Sequence, residues 1–234
     1  MTKAATWIFF GSLAIYSAIL VGVEANTSQD FVRHYFSDID GGRPFFAINT
    51  TLSTMLLASA GVLLIFTACA GHPDLPAKTT FLLWSQAGML GFLAFDDRFQ
   101  LHEALAYRLN IGDHFIMTAW AVIEAVFILA FARRDQIPLK AFAFVAVGGA
   151  FFMLMMLFDA ILPHDMFLRL SIEDLAKSWA AACFFGAAWC LARFHIGIVA
   201  QATTLQHALE RFPVLLGMLD RSPLAPKRSA QGEL

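Results

Sequence analysis

Residues 96–103 place three carboxylates and one imidazole within eight consecutive residues. Asp96, Asp97 and Glu103 can act as general acids or bases, and together with His102 they are donors that zinc or manganese accepts. At about 100° per helical residue, Asp96 and Glu103 share a face, whereas His102 lies about 120° from Asp96. All four groups therefore cannot face one ion unless the helix ends or unwinds within the segment. We expect Asp96 or Asp97 and Glu103 to face inward, and His102 to reach a neighbouring helix end.

Two further segments carry similar groups. Asp159 follows a run of Phe, Met and Leu, and Glu173, Asp174 and Lys177 precede another apolar run. Carboxylates near hydrocarbon are costly, so they are expected to face the bundle interior or a wet cavity. Other interpretations stay open for the second segment. Ser171 and Asp174 have the spacing of a capping box, and Glu173 with Lys177 that of an i,i+4 ion pair.

Glu124 is the acidic residue expected deepest in the hydrocarbon, roughly 15 Å below the outer end of its helix. A protonated Glu124 could hydrogen-bond to Gln86, Ser85 or a backbone carbonyl on a neighbouring helix. Equally, the carboxyl could act in a proton relay or an ion site. Asp113, at the start of the same apolar segment, has the position of an N-cap.

These groups lie at the ends of long apolar segments. The 234-residue sequence is 59% hydrophobic and 15% charged, with a mean hydropathy of +0.65. Spans are predicted at 4–23, 46–70, 79–95, 115–132, 141–162 and 176–196, each near the roughly 20 residues that cross a bilayer as a helix. The sequence therefore predicts an all-α, polytopic membrane bundle of about six transmembrane helices over residues 1–212. The sixth helix is expected to continue through Arg211 and stop at Pro213, before a disordered cytoplasmic tail over 213–234.

The distribution of basic residues predicts the orientation. Of the sixteen Lys and Arg residues, ten lie on one side of the predicted spans and six on the other. The richer side is the cytoplasmic one, which puts both termini inside and the acidic helix ends on the outer, periplasmic side of a bacterial inner membrane. Segment 4–23 has an alternative interpretation as a signal peptide, although Trp7 and Tyr16 suit a resident helix.

Several classes of function are disfavoured. The net charge of −2 and the lack of a basic patch argue against nucleic-acid binding. Cys69, Cys183 and Cys190 all lie in apolar segments without a CxxC spacing, which predicts packing roles. Residues 38–42 begin like a calcium loop but lack its closing Glu, so they predict a turn.

The motifs Asp96-Asp97-x-Phe99-x-x-His102-Glu103 and Glu173-Asp174-x-x-Lys177, together with Asp159, resemble a widespread group of uncharacterised bacterial six-span membrane proteins. The resemblance covers about residues 79–190 and implies a shared outer-face site without naming its reaction. A looser similarity is to alkaline-ceramidase-like membrane hydrolases, in which Asp and His at one membrane face bind zinc and attack a lipid amide. This sequence has neither the Ser-x-x-x-His nor the His-x-x-x-His of those enzymes.

The leading hypothesis is a metal-dependent, hydrolase-like membrane enzyme acting on a lipid or lipid-linked substrate at the periplasmic face. A divalent ion such as zinc or manganese would activate water. Lys177 would neutralise a developing oxyanion, and Glu103 and Glu124 would serve as acid or base. The predicted metal ligands are Asp96, Asp97, His102, Asp159 and Glu173.

Two alternatives remain. One is a proton- or cation-coupled transporter that uses Glu124 and the outer acids. The other is a non-catalytic scaffold whose helix ends are tied by ion pairs, such as Asp97 or Glu173 with Lys177 or Arg98. The expected partners are membrane lipids and no nucleic acid, with a homo-oligomer or a partner membrane protein left open.

Overall fold

The computed structural model of the protein describes residues 3–32, 36, 48–71, 75–132, 136–163, 166 and 168–211. These ranges form eight helices and no strand, which confirms the all-α prediction. The helices are α1 (Lys3–Asn26), α2 (Gln29–Val32), α3 (Ile48–Gly71), α4 (Ala77–Phe99), α5 (Leu101–Leu109), α6 (Asp113–Phe131), α7 (Leu139–Ile161) and α8 (Arg169–Arg211).

Five of the described helices are long and apolar enough to cross a membrane. They are α1, α3, α6, α7 and the first 29 residues of α8. Each coincides with a predicted span, which confirms a membrane-spanning helical bundle. The first of them is part of the bundle, because Leu20 of α1 is fully buried and packs in a cluster with Leu175 of α8.

The remaining predicted span, α4, is 23 residues long but less apolar. Several of its polar residues face the protein: Asp96 and Asp97 are buried, and Gln86 lines a cavity. The helix packs along α3 at a point of close approach, where a Cβ on Gly61 would lie 3.1 Å from the carbonyl oxygen of Ala87. Burial against α3 therefore holds α4 in the bundle despite its lower hydropathy.

The core lies between α3, α4, α7 and α8. Leu57, Leu64 and Leu83 are buried there against a run of small residues on α8 that includes Ala181 and Ala188. Small side chains let helices approach closely without leaving voids. Among the described side chains of α6, by contrast, Ile116 is the buried one, so α6 lies at the periphery.

The last helix continues beyond the apolar span through Arg211, as predicted. The expected stop at Pro213, the tail at 213–234 and the turn at 38–42 lie outside the described residues.

Candidate functional site

Seven of the eight predicted site residues line one cavity of about 220 Å³. The cavity lies where α4 and α7 end and α3, α6 and α8 begin, and we call it the polar cavity. Its polar wall includes Asp96, Asp97, His102, Glu103, Asp159, Glu173 and Lys177. The rest of the lining is mostly apolar, lies farther along the same helices, and includes Leu57, Leu93, Met117, Phe152, Met155, Met156 and Phe184. The convergence of the three helix ends inferred from the sequence is therefore present.

The helix is broken within segment 96–103, which is the condition under which its polar groups could face one site. After α4 ends at Phe99, Gln100 adopts a left-handed conformation with φ of 52°, and α5 begins at Leu101. This break confirms that the helix ends within the segment. The predicted destination of His102 is wrong, however: the turn at Gln100 folds α5 back, so His102 contacts Asp96 rather than a neighbouring helix end.

Asp96 and His102 form a dyad on the polar cavity. The Asp96 side chain accepts from the backbone N–H of His102 at 2.8 Å, and its second oxygen lies 2.7 Å from Nδ1. A proton on Nδ1 would leave Nε2 as the acceptor, 4.0 Å from the Glu103 carboxylate. The geometry is that of a carboxylate orienting a histidine base.

The electrostatic surroundings shift the pKa values of His102 and Glu103 on α5. Burial by itself lowers the pKa of His102, but the Asp96 hydrogen bond and the charges of Asp96, Glu103 and Asp113 outweigh it and raise the pKa above its ordinary 6.5. Burial also raises the pKa of Glu103, an effect that His102 and Lys177 partly oppose. The dyad therefore holds its proton to higher pH than a solvated histidine.

Lys177 pairs with Asp97 and joins α8 to α4. The second oxygen of Asp97 accepts from Ser53 and, at 3.1 Å, from Thr54, both on α3. The predicted i,i+4 pair of Lys177 with Glu173 is not the one formed, because the buried Asp97 offers Lys177 a partner across the interface.

Glu173 is held instead by Arg169, one turn earlier on α8. The Nη2 atom of Arg169 lies 3.4 Å from Glu173 and 3.2 Å from Asp159 of α7. Its guanidinium also donates to the backbone carbonyls of Phe158, at 3.2 Å, and Asp159, at 3.3 Å, near the end of α7. Sequence reasoning missed this role of Arg169, although a cation seven residues before a predicted span and among acidic residues was a usable signal.

The capping interpretations are also corrected. Ser171 lies inside α8 and donates to Glu24 of α1, while Asp174 accepts from Asn49 at 3.0 Å. The helix begins at Arg169, so Ser171 and Asp174 do not form a capping box. Gly112 rather than Asp113 is the N-cap of α6.

Sequence reasoning missed Glu24, Asn49 and Ser53, which hydrogen-bond to Ser171, Asp174 and Asp97 respectively. The i,i+4 spacing of Asn49 and Ser53 in an apolar span was the available signal.

The five predicted metal ligands divide into three sets with separate partners. Asp96 holds His102, Asp97 holds Lys177, and Asp159 and Glu173 share Arg169. Within the described ranges, no three His, Cys, Asp or Glu side chains are grouped closely enough to hold a metal ion. The metal site stays a prediction. Among the cavity-lining groups that could bind a metal and are not paired with Lys177 or Arg169 are His102 Nε2 and the Glu103 carboxylate.

Glu124 lies apart from the other predicted residues. Together with Gln86, it lines a second cavity of about 320 Å³, which we call the apolar cavity. The surrounding wall is otherwise mostly apolar and includes Leu64, Met89, Leu90, Trp120, Ile128, Val145, Met153 and Leu191. Leu93, Phe152 and Phe184 line both cavities, so the two lie against one another.

No curated protein and no solved structure matches the chain significantly. A family model described as "Domain of unknown function (DUF8692)" matches residues 5–198. That match covers most of the chain, including the apolar span of α8 and every residue of the polar cavity. The chain therefore belongs to the DUF8692 family of proteins with a domain of unknown function.

Proposed function

We propose that this DUF8692 protein is a membrane enzyme that hydrolyses the head-group end of a lipid or lipid-linked substrate in the polar cavity. The observation that carries the proposal is the Asp96–His102 dyad, set in a cavity lined by both polar and apolar side chains. A polar wall suits a head group and an apolar wall suits the first part of a chain. The predicted orientation places this reaction on the periplasmic side of a bacterial inner membrane.

The dyad supplies general acid–base catalysis. His102 Nε2 takes a proton from water while the water oxygen adds to the carbonyl carbon of an ester or amide. Asp96, on Nδ1, orients the ring and stabilises its charged form. His102 then returns the proton to the leaving oxygen or nitrogen, so the bond breaks with the net addition of one water. Lys177 lies on the same cavity and offsets negative charge on the carbonyl oxygen.

The metal-dependent form of the proposal differs at one step. His102 Nε2 and Glu103 would then bind zinc or manganese, and the ion would lower the pKa of the water in place of the histidine base. Arg169 and Lys177 neutralise Asp159, Glu173 and Asp97, so those acids would have to exchange a protein cation for the metal. Metal content therefore distinguishes the two forms.

The test uses purified protein in detergent micelles with a bacterial polar lipid extract, with and without added zinc and manganese. Released acyl chains and head groups are measured by mass spectrometry, and bound metal by elemental mass spectrometry. We expect turnover that falls about 100-fold or more in His102→Gln and not in Arg108→Gln, an exposed control on α5. The proposal fails if the wild type makes no product under any condition, or if folded His102→Gln matches it.

A non-catalytic scaffold is the second candidate, because the ion pairs of Asp97 with Lys177 and of Arg169 with Asp159 tie α4, α7 and α8 together. A scaffold predicts that these pairs govern stability and that no lipid is turned over. The transporter hypothesis has weaker support, because the wall around Glu124 is mostly apolar. Proton flux into vesicles by the wild type and Glu124→Gln tests it.

A further inference from the structure

We infer that the apolar cavity binds the hydrocarbon chain of a single-chain amphiphile whose head group occupies the polar cavity, and that this chain arrives from the bilayer between α6 and α7. This single-chain amphiphile would be the substrate of the proposed function. Only the placement of its head group in the polar cavity rests on that proposed function. The occupancy of the apolar cavity itself can be measured without any turnover.

The two cavities are adjacent and together amphipathic. Leu93, Phe152 and Phe184 line both, His102, Lys177 and most of the carboxylates line the polar cavity, and Glu124 is the carboxylate that lines the apolar one. A ligand that fills both must therefore be charged or polar at one end and apolar at the other. In the apolar cavity, Glu124 and Gln86 contribute polar side chains, and most of the remaining wall is apolar.

The volume suits one chain. The apolar cavity has a volume of about 320 Å³. An apolar cavity of about 150 Å³ is known to hold a benzene ring, so twice that volume accommodates roughly a dozen carbon atoms. Burying each methylene favours binding, whereas an empty apolar space of this size forfeits packing contacts. A single acyl or alkyl chain fits this description better than a two-chain lipid tail.

The proposed lateral route follows a groove that adjoins both cavities. A shallow groove between α6 and α7 is lined by His114 and Met156, which also line the polar cavity, and by Met153, which also lines the apolar cavity. Among the described side chains of α6, Ile116 is the buried one, so few packing contacts oppose its displacement. The flexible Met side chains in the groove can change rotamer as a chain passes.

Gly149 on α7 provides a direct test. It lines the apolar cavity, and a Cβ built there meets no described atom within 4 Å. Leucine at this position would therefore fill the chain site without displacing the backbone. Gly88 on α4 is the matched control, because it is exposed and a Cβ there also meets no described atom within 4 Å.

The experiment is photo-cross-linking with octadecanoic acid that carries a diazirine at mid-chain, using full-length protein in detergent micelles and peptide mapping of the labels. We expect labels on cavity residues such as Leu90, Trp120 and Phe152 that excess unlabelled acid competes away. Gly149→Leu should reduce them about tenfold, with a smaller effect for Gly149→Ala and none for Gly88→Leu. Thermal unfolding verifies that each variant is folded.

Labels confined to bilayer-facing residues, or cavity labels that folded Gly149→Leu does not reduce, would overturn the inference. Turnover that depends on His102 without cavity labelling refutes the chain site and leaves the proposed function in place. Cavity labelling that depends on Gly149, in protein that turns over no lipid, supports the chain site and counts against the hydrolase.

Discussion

The Lys177 ammonium on α8 contacts one carboxylate oxygen of Asp97 at the end of α4, while Ser53 and Thr54 of α3 donate to the other. One buried side chain therefore joins three helices. A charge in so dry a position is stable only while its counter-charge and hydrogen bonds are present. The pair is thus both a structural tie and part of the wall of the polar cavity.

Asp97→Asn should destabilise the protein by about 3 kcal/mol, because it leaves Lys177 partly buried beside a neutral amide. The double variant Asp97→Asn with Lys177→Met should recover part of that loss, since neither charge then lacks a partner. Thermal unfolding in detergent measures both. An Asp97→Asn variant as stable as Arg108→Gln would show that the pair does not hold the helix ends together.

Arg169→Met should cost about 3–5 kcal/mol, because it leaves Asp159 and Glu173 beside each other without a cation and frees carbonyls near the end of α7. Arg169→Lys should recover only part of this, since an ammonium cannot reproduce the guanidinium fork. The measurement is again thermal unfolding. Equal stability of the Lys variant and the wild type would contradict the assigned role of the fork.

Stability and activity should depend on the protonation of His102. Its pKa in the folded protein lies above the ordinary 6.5, so the folded state binds the proton more tightly than the unfolded chain. That stabilisation is fully present below about pH 6.5 and is lost as the pH rises through the folded pKa. The proposed hydrolysis requires neutral Nε2, so its rate should rise over the same window.

Asp96→Asn should lower the pKa of His102, because the carboxylate that raises it is removed. NMR titration of the His102 ring measures the change, and His114 serves as the internal reference. A His102 pKa that is unchanged in folded Asp96→Asn would mean that the dyad does not control this proton.

The contact between α3 and α4 depends on Gly61. Gly61→Ala should destabilise by about 1–3 kcal/mol, because the new methyl group would lie 3.1 Å from the Ala87 carbonyl oxygen, on the backbone. Gly88→Ala, which meets no described atom within 4 Å, should instead stabilise by about 0.5–1 kcal/mol through helix propensity. Opposite signs in thermal unfolding are the expected result. Equal effects would contradict the close approach.

Much of the bundle followed from the sequence alone. The apolar segments predicted six spans, because about 20 consecutive apolar residues can satisfy their backbone within hydrocarbon only as a helix. Five of the described helices that match them are long and apolar enough to cross a membrane. The spacing of Asp96 and His102 also meant that both could face one ion only if the helix ended within residues 96–103, and α4 does end there, at Phe99. Placing acids at helix ends was enough to predict that seven of the named residues share one cavity.

Only the tertiary structure decided which of these groups meet. Glu173 lies one turn from Lys177 on the same helix, yet Lys177 forms its ion pair with Asp97. Glu173 forms an ion pair with Arg169. Local spacing states which partners are reachable along one helix, but the packing of α4, α7 and α8 brings in partners from far along the chain. For buried charges those cross-helix contacts dominate, because each charge must be neutralised wherever the folded interface places it.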